Sequence, residues 1–114
     1  MIVMATGYYV LRKITKHSFV LKAANHEIIL TSQSYESKAA AENGIASVQE
    51  NGSQEARFER KSSSAGDPYF VLKAGNGQII GTSEMYSSEQ ARDNGIESVK
   101  KNSTSSVIKD ETEG

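Results

Sequence analysis

The sequence predicts one α+β domain built from two similar halves that share a single core. Three features predict it: an internal repeat, a β-hairpin pattern early in each copy and an amphipathic helix pattern later in each copy. Residues 19–52 align with residues 70–103 without a gap, and 19 of the 34 aligned positions are identical. One copy is about 50 residues, below the size at which a core readily holds itself together. We therefore expect the copies to complete one another around a pseudo-twofold axis.

The repeat sets the domain organisation. We assign residues 8–56 to repeat 1 and residues 57–110 to repeat 2, within a single domain that spans 1–114. Residues 1–3 are interpreted as an N-terminal extension, because "MATGYYVL" leads directly from Met4 into an alternating segment, and translation could start at either methionine. Residues 111–114 are interpreted as an acidic C-terminal tail.

Composition and charge argue against several function classes. A formal net charge of −1 gives no overall attraction to nucleic acid or to an anionic membrane. The chain has no cysteine, which leaves no disulfide and no thiolate metal site and fits a reducing compartment. No segment approaches the roughly 20 apolar residues of a membrane span, and the N-terminus lacks signal-peptide regions. We expect a cytoplasmic protein with no membrane partner.

Each copy starts with strands. "GYYVLRKI" alternates and predicts the first strand, and the two hairpins follow. Asn76-Gly77 is a strong signal for a two-residue type I′ turn, and Asn25-His26 occupies the same place in copy one. Such a turn pairs Ala23 with Ile28, Leu21 with Leu30 and Phe19 with Ser32. Alternation then puts the following residues on the core face: Phe19, Leu21, Ala23, Ile28, Leu30, Phe70, Leu72, Ala74 and Ile79.

Each copy continues with a helix. Ala41, Gly44, Ile45 and Val48 share a stripe at helical spacing, and the second copy repeats the stripe. Ser87 with Gln90 matches a capping box at the N-terminus of the second helix, and the position one residue later, Ser37 or Ser88, is the competing cap. A glycine in mid-helix costs roughly 1 kcal/mol against alanine. Its recurrence at Gly95 predicts that the helix backbone closely approaches the sheet or the twin helix; a helix backbone that contacts a ligand is the alternative.

Outer strands complete each copy. "ARFERKSS" links the copies, and "SSVIKDE" closes the chain at the position equivalent to the start of that link. The link could be one long strand whose first part closes copy one and whose second part opens copy two. Asp67-Pro68 marks the turn that follows, because proline interrupts a sheet ladder.

The repeated motifs resemble those of the YegP family of small bacterial proteins. The pattern FVLKA-x-N-x-x-II-x-TS-x-x-Y followed by NGI-x-SV occurs twice, and the resemblance covers the chain from Met4. It implies tandem β-β-β-α-β units that form one antiparallel sheet, with exchanged terminal strands and two helices packed on one face. It implies no activity, cofactor or catalytic residue. His26 departs from the glycine usual at that turn.

The sequence offers little catalytic chemistry. His17 and His26 lie in two neighbouring turns, and copy two has no counterpart of either, so turn geometry explains both. No nucleophile elbow, phosphate loop or metal-ligand cluster is present, and we predict neither enzyme activity nor a metal or other cofactor. The alternative is small-molecule binding or catalysis at the repeat interface. It predicts a pocket that contains a titratable group with a strongly perturbed pKa and is lined by Tyr35, Tyr86, Asn43 or Asn94.

The remaining candidate is the outer side of the sheet. Alternation places eight related residues there: Val20, Lys22, Ile29, Thr31, Val71, Lys73, Ile80 and Thr82. The face could be merely solvated, or its apolar content could dock a protein partner or a second copy. Single-stranded nucleic acid is a further alternative. It is disfavoured by the net charge, by only two central lysines and by only one expected ring, Tyr8, unless the strand phase differs by one residue. We predict a non-catalytic structural or protein-interaction module.

Overall fold

The computed structural model describes residues 7–112, which form seven strands, two α-helices and one short 3₁₀ helix. Repeat 1 contributes β1 (Tyr8–Lys13), β2 (His17–Lys22), β3 (Ile28–Thr31) and α1 (Lys38–Asn51). The 3₁₀ helix (Glu55–Arg57) leads into β4 (Phe58–Ser62), β5 (Pro68–Lys73), β6 (Ile79–Thr82), α2 (Glu89–Asn102) and β7 (Ile108–Glu111). The N-terminal extension predicted for residues 1–3 lies outside the described residues.

All seven strands form one sheet in the order β4-β5-β6-β3-β2-β1-β7. The halves meet at the centre, where Thr31 of β3 pairs with Thr82 of β6. The predicted α+β class and the shared sheet are confirmed. One detail of the sheet was wrong: every pair is antiparallel except β1 and β7, which run parallel, so the sheet is mixed. After α2 the chain returns to the edge of the sheet formed by β1, and β7 runs along that edge in the same direction as β1.

The helices cover one side of the sheet. Phe19, Leu21 and Leu30 are fully buried in a cluster that also contains Ile45 of α1 and Ile96 of α2. The second repeat contributes Phe70 and Leu72 to the same cluster, which joins both halves in one core, whereas Gly81 stands at the position of Leu30 and is packed against the Leu30 side chain. Ser37 and Ser88 cap the two helices, since their Oγ atoms accept hydrogen bonds from the amides of Ala40 and Ala91.

The terminal strands are exchanged between the repeats. β7 follows the helix of repeat 2 but pairs with β1 of repeat 1. Asn102 Oδ1 accepts a hydrogen bond from the Gly7 amide at 2.8 Å, and the buried Tyr9 hydroxyl donates to the Ser103 carbonyl at 2.6 Å. Lys38 Nζ lies 2.5 Å from Asp110 Oδ2, which ties the start of α1 to β7. The strand includes Glu111, which the sequence analysis assigned to the tail.

The hairpin tips differ from the prediction. Each loop has three residues, which are residues 24–26 in repeat 1. The His26 amide donates a hydrogen bond to the Ala23 carbonyl at 2.9 Å, and the Ala23 amide donates one to the Glu27 carbonyl across the loop. His26, with φ of 70°, is the left-handed residue, and Gly77, with φ of 86°, matches it in repeat 2. A type I turn followed by a left-handed residue is the standard three-residue hairpin loop. Asn25 therefore sits at a turn position that does not need positive φ.

This loop shifts the register by one residue near each tip. Leu21 pairs with Leu30 as predicted, but Lys22 pairs with Ile28, which makes Ile29 the additional residue of a bulge. Ile29 and its counterpart Ile80 are 6% and 8% exposed and belong to the core cluster. The prediction that they face outward, and that Ile28 and Ile79 face inward, was wrong; Ile79 is 41% exposed.

The mid-helix glycines are explained by aromatic rings. Phe19 and Tyr35 stack with their ring planes 10° apart, and Phe70 and Tyr86 do the same in repeat 2. A methyl group at Gly95 would collide with Tyr86 Oη and lie 3.2 Å from Phe70 Cε2. Close approach of the helix to the sheet is therefore confirmed, and the tyrosine ring fills the contact.

We expect Gly95→Ala to lower the free energy of unfolding by about 1–2 kcal/mol, because overpacking outweighs the roughly 1 kcal/mol gain in helix propensity. In a Tyr86→Ala background the same change should be neutral or stabilising. Urea denaturation of the four proteins measures both effects. Asn94→Ala, at the exposed neighbouring position, controls for propensity alone. An equal cost of Gly95→Ala in both backgrounds would contradict the assignment to Tyr86.

Candidate functional site: the outer sheet face

The side of the sheet without helices, called here the outer sheet face, is built on one cross-strand row. In this row Val10, Val20, Thr31, Thr82 and Val71 are successive neighbours. Glu59 of β4 and Lys109 of β7 extend the row to the two edges. The pseudo-twofold axis passes between the two threonines, so each half repeats the other.

Four of the eight residues predicted for this face are closed to solvent. Val20 and Val71 are 1% and 3% exposed, and Ile29 and Ile80 belong to the core. Thr31 is exposed, and Thr82, Lys22 and Lys73 are half-buried. The four apolar residues predicted for this face are thus buried, whereas the four polar ones remain accessible; the register shift puts Ile28 and the 41% exposed Ile79 on this face instead of Ile29 and Ile80.

The strands bring more cations to this face than the sequence analysis assigned. Lys22 and Lys73 are joined there by three further cations. Arg12 and Lys61 lie two residues along their strands from Val10 and Glu59, and Lys109 lies directly opposite Val10, so all three share the face of the central row. The carboxylates of the same strand face are those of Glu59 and Glu111. Five cations against two carboxylates leave a formal excess of three positive charges, although the whole chain carries −1.

Four of the cations follow the pseudo-twofold axis. Lys22 and Lys73 are equivalent in sequence, and Arg12 and Lys61 are equivalent in pairing, since they lie opposite Ser18 and Tyr69. They surround the threonine pair on both sides.

The cations differ in how far they are neutralised. Lys73 Nζ lies 2.7 Å from Glu59 Oε1, and Lys61 Nζ lies 3.9 Å from the other oxygen of that carboxylate. The hydrogen bond from Lys73, with the charge of Lys61, lowers the pKa of Glu59. Arg12 and Lys22 form no ion pair or side-chain hydrogen bond with any residue in 7–112. Their charge is available to a partner.

Two tyrosines also lie on this face. Tyr8 is directly opposite Lys22, and Tyr69 is directly opposite Lys61. Lys109 Nζ lies 4.6 Å from the centre of the Tyr8 ring, a cation–π contact. The Tyr8 hydroxyl is 2.5 Å from His26 Nδ1 of the hairpin tip. Tyr69 supplies a second ring that the sequence analysis did not place here.

A separate cleft lies between the first hairpin tip and α2. Its volume is about 250 Å³, and it is lined in part by Glu27, Tyr86, Asn94 and Ser98. The predicted interface residues Tyr86 and Asn94 do meet there. Burial raises the pKa of Tyr86, and the charges of Glu84 and Glu27 add to the rise. A tyrosine phenol is already protonated at neutral pH, and the raised pKa keeps Tyr86 in this hydrogen-bond-donating form.

The other residues considered for chemistry lie apart. His17 begins β2 and its backbone pairs with that of Tyr35, whereas His26 follows the other end of the strand. Within residues 7–112, no group of three or more His, Cys, Asp or Glu side chains could hold a metal ion. None of the helices in the described part of the chain has the length and apolar character to cross a bilayer.

The fold and this face define a two-repeat α+β protein with one covered and one open sheet surface. The profile of the domain of unknown function DUF1508 matches residues 13–59 and 63–110. The chain belongs to this family. The predicted resemblance to YegP is thereby confirmed.

Similar proteins come from several bacteria. The UPF0339 protein ACIAD0721 of Acinetobacter baylyi is 61% identical over 97 residues, 85% of this chain and 87% of that protein. The UPF0339 protein YegP of Yersinia pestis is 57% identical over 111 residues, 96% of this chain and 99% of that protein. The solution NMR structure of YegP from E. coli, a protein of unknown function, superposes with a TM-score of 0.91 at 52% identity, covering 100% of this chain and 99% of that one.

We expect the buried phenols to make stability depend on alkaline pH. Burial raises the pKa of Tyr9 and Tyr35 as well as that of Tyr86. The unfolded chain loses these protons first, so the free energy of unfolding is at its full value below pH ~10 and falls as the pH rises further. Denaturant titrations across this range, with the tyrosinate absorbance followed in parallel, measure it. Unchanged stability up to pH ~12 would contradict the assignment.

Proposed function

We propose that this protein is a non-catalytic interaction module that docks an anionic macromolecule on its outer sheet face. The observation that carries the proposal is the segregation of charge: the strand residues of this face have an excess of three positive charges in a chain of net charge −1. Potential near such a patch attracts anions even when the net charge does not.

The composition of the accessible surface supports a polar partner. Thr31 and Thr82 lie at the centre, and Lys22 and Lys73 flank them. The central valines are buried, and Ile79, opposite Lys73, is the outward isoleucine with the most exposed surface, at 41%, so the accessible surface is mostly polar with a limited apolar area. Charge complementarity would therefore provide most of the attraction and the association rate.

The same charges argue against self-association through this face. Two copies stacked face to face would bring two positively charged surfaces together, and like charges across an interface cost free energy.

The non-catalytic part of the proposal rests on the roles of the candidate residues. Tyr35 and Tyr86 are held against the helix glycines by ring stacking. Asn51 and Asn102 donate hydrogen bonds to the carbonyls of Ser47 and Ser98 one helical turn earlier. These contacts give a structural reason for the tyrosine pair and for the further repeated pair Asn51 and Asn102, whereas the candidates Asn43 and Asn94 are exposed.

Retention on a heparin column tests the docking proposal. Heparin is a polyanion, and a chain with an isoelectric point near 6.1 should bind it at pH ~7.5 only if positive charge is concentrated on one surface. We expect the native chain to be retained at low salt and Arg12→Gln/Lys22→Gln to elute at a lower salt concentration. These two residues are chosen because their loss leaves no carboxylate unpaired.

Lys13→Gln/Lys101→Gln is the matched control. It removes the same charge from residues that are exposed but lie outside the outer sheet face. We expect it to elute close to the native chain. Passage of the native chain through the column at low salt, or equal elution of the two double variants, would contradict the proposal.

Light scattering tests whether the positive charges keep two copies apart. We expect the chain to be a monomer by multi-angle light scattering at micromolar concentrations and low salt. Raising the salt screens the charges over a Debye length of about 8 Å near 0.15 M and should not by itself produce a dimer, because the accessible apolar area is small. A dimer in solution whose affinity increases in Lys22→Gln would contradict this expectation and support self-association through the outer sheet face.

A further inference from the structure

We propose that the anionic partner is a single-stranded nucleic acid whose backbone crosses the sheet along the row that carries Tyr8, Lys22, Tyr69 and Lys61. This inference rests on the proposed docking function and gives the partner its chemical class. The charge of the face indicates only that the partner is anionic. The positions of the aromatic rings relative to the cations indicate which class of anion it is.

Rings and cations are paired along one row. Tyr8 lies opposite Lys22, and Tyr69 lies opposite Lys61. Both pairs lie on the same side of the central valine–threonine row, displaced from it by two residues along each strand. β1 and β5 are four strand spacings apart, about 19 Å, so the row crosses most of the sheet.

The opposite row provides an internal comparison. On the other side of the threonines, Arg12 lies opposite Ser18 and Lys73 lies opposite Ile79. Each row therefore has two cations, but the opposite row also has the Glu111 carboxylate, directly opposite Arg12, and aromatic rings lie only in the first row. An acidic protein surface would need only the cations. A single strand also presents bases, whose π-faces stack on aromatic side chains while lysines contact the phosphates.

The Tyr8 ring is already held in a suitable arrangement. Its hydroxyl is fixed by His26, and its face is in contact with the ammonium group of Lys109. A base that replaces this ammonium on the ring face would leave Lys109 beside the adjoining phosphate. Tyr69 is half-buried, and its ring carries no stacked partner among residues 7–112.

Single strands are favoured over duplexes because the bases of a duplex are stacked on each other. A broad sheet does not enter a groove as a helix or a two-stranded ribbon does. The rings can contact bases only where these are unstacked, which is the usual situation in single-strand recognition by sheet surfaces.

Fluorescence anisotropy with the full chain tests the inference. The probes are a labelled oligothymidylate of about twelve nucleotides, a duplex of the same length and poly-glutamate as competitor. We expect the single strand to bind most tightly, with a slope of log affinity against log salt of about −2 to −3.5, from three to five neutralised phosphates. Tyr69→Leu, which keeps bulk but removes the ring, should weaken binding about fivefold or more, and Tyr69→Phe should retain it.

The other variants keep the test decisive. Arg12→Gln/Lys22→Gln should weaken binding, while Lys13→Gln/Lys101→Gln should not. If Tyr69→Leu lowers the melting temperature markedly, the pair Tyr8→Leu and Tyr8→Phe replaces it. Heparin retention without preference for the single strand, or without an effect of removing either ring, would overturn this inference and leave the docking function standing. Failure to bind heparin would overturn both.

Discussion

The exchange of terminal strands is the constraint on which the rest of the structure depends. The edge of repeat 1 is closed by the other repeat, since the segment after α2 pairs with β1, and the segment that leaves α1 crosses to the far edge, where it becomes β4 beside β5. The two halves must therefore lie side by side around the Thr31–Thr82 pair. A twofold axis perpendicular to a sheet keeps both helices on one side, which leaves the other side open. The open face is thus a consequence of how the halves complete each other.

Much of the internal identity reflects one packing unit. In each half a phenylalanine on the sheet stacks on a tyrosine, and the tyrosine occupies the space left by a helix glycine. A change in any one of the three residues disturbs the packing of the other two, which gives both copies the same structural reason to carry the unit whatever the protein binds. This is why the identity between copies indicates structure here and does little to indicate function.

The sequence was sufficient for the features governed by periodicity. Leu21 and Leu30 alternate cleanly, and their pairing was predicted correctly. The conformation of the hairpin tip was not predicted correctly, because Asn25 and His26 both tolerate positive φ and the sequence does not show which of them adopts it. The length of the loop depends on this choice, and with it whether Ile29 faces the core. The direction of β7 depends on a contact with β1, nearly one hundred residues away in the chain, which local patterns do not encode. For the same reason the cations from the outer strands were missed: Lys61 and Lys109 acquire a face only when β4 and β7 are paired.

The symmetry of the outer sheet face has a consequence for recognition. Its four central cations are related by the pseudo-twofold axis, so their field alone would hold a linear polyanion equally well in either of two orientations. The rings break this equivalence, since the residue that pairing makes equivalent to Tyr69 is Ser18. Lys109 breaks it as well, because β7 has no counterpart beyond β4. A nucleic-acid strand has a chemical direction, and only the asymmetric residues can select it. The symmetric charges thus attract the strand, and the residues that differ between the repeats select the direction in which it binds.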